Sequence, residues 1–206
     1  MDYNSTPGTH CKECLSRLYN VVLTAGSRLA YRFGVTTGIT APSSKGFLAG
    51  LSTAFNTGLP HRLAKGAVVQ EIAALHVSID SSKPSVSTQI SALRSLLQGE
   101  GKGELAARFE DVVKVSKSNS FFLVRSSNQS VQGKLPLVIE VHSADIMASL
   151  INLKKEIETQ RKTRIQVTFS GASEAHILAE EIGAAKVGVI LNPSRPFLGT
   201  WKSRRM

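Results

Sequence analysis

His142 closes the apolar run Leu137, Val138, Ile139, Val141. Such a run reads as a buried strand, which places the histidine at its carboxyl tip. In parallel α/β folds, chemistry collects at that end of the strands. An imidazole there can ligate a metal; a plain loop histidine would only hydrogen-bond its neighbours. Other residues have suitable chemistry. His176 sits three residues beyond Ser173, early in an expected helix, either aimed at the strand ends or as a surface or capping residue. His76 ends Ala73-Ala74-Leu75-His76, where a partly buried structural role competes with a rim role. Glu71 is the carboxylate of that stretch able to act as a ligand. Ser43-Ser44-Lys45-Gly46 could cradle an anion through backbone N–H groups, although the GxxxxGK[ST] spacing is absent and a tight turn after a strand is the preferred reading. Cys11 and Cys14, with His10 beside them, make half of a zinc site or a redox pair, against two free thiols in a polar lead.

The elements that must position these residues are clearest from 135 onward. The spacing predicts a strand ending at His142, a helix over 144–160, a strand over 165–169, a helix opening at Ser173 and a strand over 187–191. Ser143 and Ser173 stand where N-caps belong, and Asp145 and Glu174 suit the positive helix N-terminus. Upstream, a helix is expected around 15–31, a strand over 33–40, an extended stretch over 66–79, a helix over 87–98 that Ser87 could cap, and another over 104–114. Alternating β and α elements imply a parallel sheet with right-handed crossovers. The expected fold is α/β, a partial (β/α)₈ TIM-type barrel of about five or six parallel strands; an open doubly wound sheet is the competitor. Residues 1–27 read as an irregular lead and 28–206 as the barrel domain, with an atypical insertion near 115–132.

Composition narrows the class. A hydrophobic content of 42% supports a buried core. There is no run of about 18 apolar residues and no signal-peptide pattern, so a cytoplasmic protein without a membrane span is expected. Lys plus Arg is 25 and Asp plus Glu is 15, a net +10. That balance suits polyanion binding, but the charges are scattered and aromatics are 6%, so nucleic acid is not the expected partner.

Four stretches resemble the amidohydrolase superfamily in order: GVTTGITAPSSKGFLAGLSTAF (34–55), VIEVHSADI (138–146), SGASEAHILAEEI (170–182) and VGVILNPSRPF (187–197). The chain resembles fungal amidohydrolase-like proteins grouped with N-acetylglucosamine-6-phosphate deacetylases, carbohydrate esterase family nine. The resemblance implies a metal-dependent hydrolase in which zinc or another divalent ion activates water against an amide or acetyl-ester carbonyl. It implies His142 as a ligand, with His176, His76 and Glu71 as further candidates, and a small-molecule amide or N-acetyl sugar as substrate. The chain departs from the family pattern. None of its five histidines forms His-x-His, and no strand-eight Asp is present. Its 206 residues fall short of the usual barrel of about 250. The expectation is therefore a truncated barrel, weakly active or inactive, or carrying no metal. A non-catalytic binding or self-associating module is the second reading, and a polyanion-binding protein the third.

Overall fold

A computed structural model describes residues 25–40, 42, 46–61, 64–80, 85–100, 104–113 and 135–192. The elements in chain order are α1 (Ala25–Arg32), β1 (Thr37–Ile39), β2 (Leu48–Asn56), β3 (Val68–Ser78), α2 (Val86–Gln98), α3 (Glu104–Val113), β4 (Leu137–Val141), α4 (Ala144–Arg161), β5 (Val167–Gly171), a 3₁₀ turn (Ala175–Leu178), α5 (Ala179–Ala184) and β6 (Gly188–Leu191). The Cys11–Cys14 pair and the 115–132 stretch lie outside the described residues.

The six strands form one curled sheet in sequence order, half of a TIM-type barrel. β3, β4, β5 and β6 pair in parallel. β2 is antiparallel to both β1 and β3, so β1 points the same way as β3. The expected five or six parallel strands are therefore five, with β2 reversed. The connections explain this. Residues 40–47 and 57–67 are eight and eleven residues long, too short for the crossover of a dozen or more that a parallel pair needs. β2 itself was not foreseen. Gly50 through Phe55 are all buried, so the strand has no polar face and no period of two. Its buried hydroxyls are paired instead: Thr53 donates to the Glu71 carbonyl at 2.8 Å and Ser52 to that of Ala74 at 3.3 Å.

From Leu75 on in β3, and in β4 and β5 as far as Phe169, the odd-numbered residues face the helices, whereas β6 itself is exposed throughout. Leu75, Val77, Leu137, Ile139, Val141, Val167, Phe169 and Val187 join one core with Leu93 and Leu97 of α2, Phe109 of α3, and Met147, Leu150, Ile151 and Ile157 of α4. The spacing of these helical residues puts each set on one face. The even-numbered residues line the concave face. Ser78, Glu140, Ser170 and Ile190 share one row; His76, Val138, Thr168 and Gly188 share the row below. Glu140 and Ile190 are exposed there.

α4 locks the two units that follow it. Lys154 is buried, donates to the Ala185 carbonyl just before β6 and pairs with Glu158 at 3.4 Å. Glu158 in turn accepts the Ile165 N–H at 2.8 Å, holding the approach to β5. The partly exposed Arg94–Glu156 pair at 3.0 Å ties α2 to α4 and contributes at most about 1 kcal/mol. Among the described residues, no helix is long and apolar enough to cross a membrane.

Removing the buried ammonium strands the Ala185 carbonyl, a polar loss of about 2 kcal/mol. Lys154→Ala should lower the unfolding free energy by about that amount in urea denaturation, with a larger loss than Lys155→Ala, whose side chain is exposed.

Candidate functional site

The carboxyl ends of β3 to β6 form one rim. Two residues beyond the Ser78–Glu140–Ser170–Ile190 row stand Asp80, His142, Ala172 and Asn192. The start of β2 belongs to the same rim, because Ser78 donates its N–H to the Phe47 carbonyl at 2.9 Å. Gln89 on α2 grips the Asp80 backbone from both sides, donating to its carbonyl at 2.7 Å and accepting its N–H at 3.3 Å.

His142 is exposed, directly after β4. Its Nδ1 lies 2.9 Å from the Ser173 hydroxyl oxygen. The two backbones are stitched as well. Ala172 N–H donates to the Val141 carbonyl at 2.7 Å, and Glu174 N–H to the His142 carbonyl at 3.2 Å. Gly171 lies under the imidazole. It has φ +84°, and a Cβ there would sit 2.6 Å from His142 Cε1. Only glycine meets both demands. Ala172 follows in the left-handed region too, at φ 43°, which a non-glycine residue adopts at some expense.

Three expected caps are rearranged by these contacts. Ser143 stands at the N-cap of α4, but its hydroxyl makes no cap bond. The Glu174 carboxylate takes that place, accepting the Ala144 N–H at 2.8 Å. Ser173 serves His142 rather than its own helix, which begins as the 3₁₀ turn. Ser87 does not cap α2: Ser85 is the N-cap residue, and its hydroxyl meets those of Ser87 and Thr88. These partners lie far away in sequence or on side chains, so local spacing could not reveal them.

The other candidates do not converge on His142. His176 is exposed in the 3₁₀ turn. Glu71 is exposed on β3, five residues before His76, which is about 16 Å along a strand. Gly46 is exposed before β2, while Ser43, Ser44 and Lys45 lie outside the described residues. His76 sits in the sheet opposite Gly50 and Val138. Its Nε2 is buried with no hydrogen-bond partner among the described residues. Burial pushes the ring down from the ordinary 6.5 to about 4. Sequence reading missed Ser173 and Glu174 as partners of the His142 loop; the signal was their place just after a strand tip beside His142.

A zinc centre needs three or four nitrogen, sulfur or oxygen ligands. His142 supplies one nitrogen of suitable chemistry and location. Among the described residues, no three of His, Cys, Asp and Glu gather closely enough to hold a metal ion. The described residues therefore do not fit a complete metal centre.

Comparison with known proteins gives two likenesses. The chain is 26% identical over 223 aligned positions to amidohydrolase tasK of Hapsidospora irregularis, covering 92% of this chain and 22% of that protein. Its fold is similar to the crystal structure of an amidohydrolase from Thermotoga maritima MSB8, with a TM-score of 0.61 and 12% identity, over 94% of this chain and 49% of that one. The chain thus spans about a fifth of the curated relative and about half of the solved structure. No family model matches.

Two predictions follow from the rim and the strand beneath it. Folding favours the uncharged His76 ring, because its folded value of about 4 lies below 6.5. That contribution is fully present above pH 6.5, is lost as the pH falls toward 4, and then levels off. The loss should be on the order of 2–3 kcal/mol in urea midpoints, and His76→Gln should remove that part of the pH dependence. Gly171→Ala forces a Cβ against His142 at a positive φ. It should destabilise the chain by about 1–3 kcal/mol, read by thermal melting, and change the His142 ring resonances in NMR spectra.

Proposed function

We propose that this chain is part of an amidohydrolase-type hydrolase acting on amide or acetyl-ester bonds. The carrying observation is that a chain with sequence similarity to an amidohydrolase along 92% of its length has a histidine, His142, held at the carboxyl rim of its half-barrel. Enzymes on such sheets place their chemistry at that rim. Here the His142 side chain is exposed with Nδ1 on Ser173, and Glu140 and Ser170 stand on the concave face below it. Within this reading the substrate is a small amide or an N-acetyl sugar, taken up in the cytoplasm, as the resemblance to sugar deacetylases suggests. A divalent ion such as zinc would use His142 as one ligand, with the others coming from outside the described residues.

A second reading has one observation in its favour. The described residues bring no three candidate ligands together at the rim. On this reading the half-barrel is a non-catalytic binding or self-associating module that keeps the scaffold of the hydrolase.

Zinc loading separates the two. Under the hydrolase reading, the purified chain binds zinc and slowly releases acetate from N-acetylated sugars or simple amides. His142→Ala then lowers zinc affinity and turnover at least about tenfold. Fewer than about 0.1 zinc per chain by elemental analysis, with no hydrolysis above background, would sink the hydrolase reading and leave the module.

A further inference from the structure

We infer that Ser173 is the positioning residue of His142: its hydroxyl accepts the Nδ1 proton and leaves Nε2 as the outward, lone-pair nitrogen. The choice of acceptor rests on the hydrolase reading, which needs a lone pair facing the rim; the clamp itself rests on geometry alone.

One short segment, 171–174, surrounds His142 on several sides. The backbone on either side of its Cα is held, by Ala172 N–H on the Val141 carbonyl at 2.7 Å and by Glu174 N–H on its own carbonyl at 3.2 Å. Gly171 closes the space under the ring, where a Cβ would come within 2.6 Å of Cε1 and 3.1 Å of both ring nitrogens. The Ser173 hydroxyl at 2.9 Å then fixes which ring edge faces inward. A half-turn of the imidazole would put Cδ2 in place of Nδ1 and forfeit that bond. Glu174 anchors the segment by capping α4 through Ala144 N–H at 2.8 Å. Nε2 has no protein partner among the described residues and belongs to an exposed side chain.

A hydroxyl can donate or accept. If Ser173 accepts, the neutral ring carries its proton on Nδ1, and Nε2 is free to coordinate or to take a proton. This is the usual arrangement of a ligating histidine, whose second nitrogen is tied down by a neighbour that fixes tautomer and orientation. If Ser173 donates, Nε2 carries the proton, and the pair has the form of a nucleophile with its base.

The tautomer can be read on the metal-free chain with no substrate. With 15N-labelled histidine at a pH about two units above the free imidazole value of about 6.5, long-range 1H–15N spectra report which nitrogen is protonated. The Nδ1–H form of His142 should dominate in the wild type. Ser173→Ala should shift the ratio about five- to tenfold toward Nε2–H, the form free imidazole favours. Ser173→Thr, which keeps the hydroxyl, should restore it. An Nε2–H tautomer in the wild type would overturn the inference, as would a ratio that Ser173→Ala leaves unchanged. Neither outcome depends on zinc binding or hydrolysis, so failure here is distinct from failure of the hydrolase reading.

Discussion

The burial of alternate residues in three parallel strands, β3, β4 and β5, governs the rest of the structure. Leu75, Val77, Leu137, Ile139, Val141, Val167 and Phe169 must all leave water on the same side of the sheet, against α2, α3 and α4. A strand's side chains alternate, so the intervening residues are committed to the concave face. A slip of one residue would send Glu140 into the core and Ile139 to solvent, which fixes the register strongly. That register also sets the rim. His142 is two residues beyond Glu140, so it leaves β4 level with Asp80, Ala172 and Asn192. Its location follows from hydrophobic burial several residues away.

Position alone would leave an exposed histidine free to sample rotamers. The turn after β5 restricts it, and that turn is strained. Gly171 and Ala172 adopt positive φ in succession, and Ala172 is fully buried. A left-handed alanine costs roughly 1–2 kcal/mol. The Ala172 N–H to Val141 bond offsets part of this, and its 2.7 Å length shows how closely the two strand ends are drawn together. The same kink brings Ser173 to Nδ1 and Glu174 to the first N–H of α4. A relaxed turn would let a serine cap its own helix, as local chemistry favours. The distorted turn lets two polar side chains serve the neighbouring strand–helix junction.

These two levels explain which parts of the molecule were legible in the sequence. The β4–α4–β5 order could be read because each element meets core on one side, and β6, although exposed, could be read from its short β-branched run after Val187. β2 could not: Gly50 to Phe55 are covered on both faces, and small residues stand where alternation should be. The reversal of β2 was implicit in its short flanking connections, but only a recognised strand makes a connection length meaningful. His142 was found because a strand tip is a sequence feature. Its partnership with Ser173 was not, because it spans 31 positions and depends on the left-handed turn between them. His76 shows the same limit. Its place in β3 was legible, yet its unpaired Nε2 follows from the packing of β2 and β4 on either side.

The rim also explains how a fold similar to that of an amidohydrolase can carry few metal donors among its described residues. A barrel spreads a metal centre over several strand tips, each contributing one or two positions. Here the β4 tip offers an imidazole, whereas the β5 tip offers Ser170, Gly171 and Ala172, and the β6 tip Leu191 and Asn192. Gly171 cannot be exchanged for a larger residue, because the ring of His142 occupies the space a side chain would need. The feature that orients the histidine therefore excludes a second ligand from the adjoining position. Further donors would have to approach from strands facing β4 across the concave side, where Glu140 and Ser170 leave the surface polar and open. Among the described residues, the geometry is that of one imidazole held by the turn after β5 above the concave face.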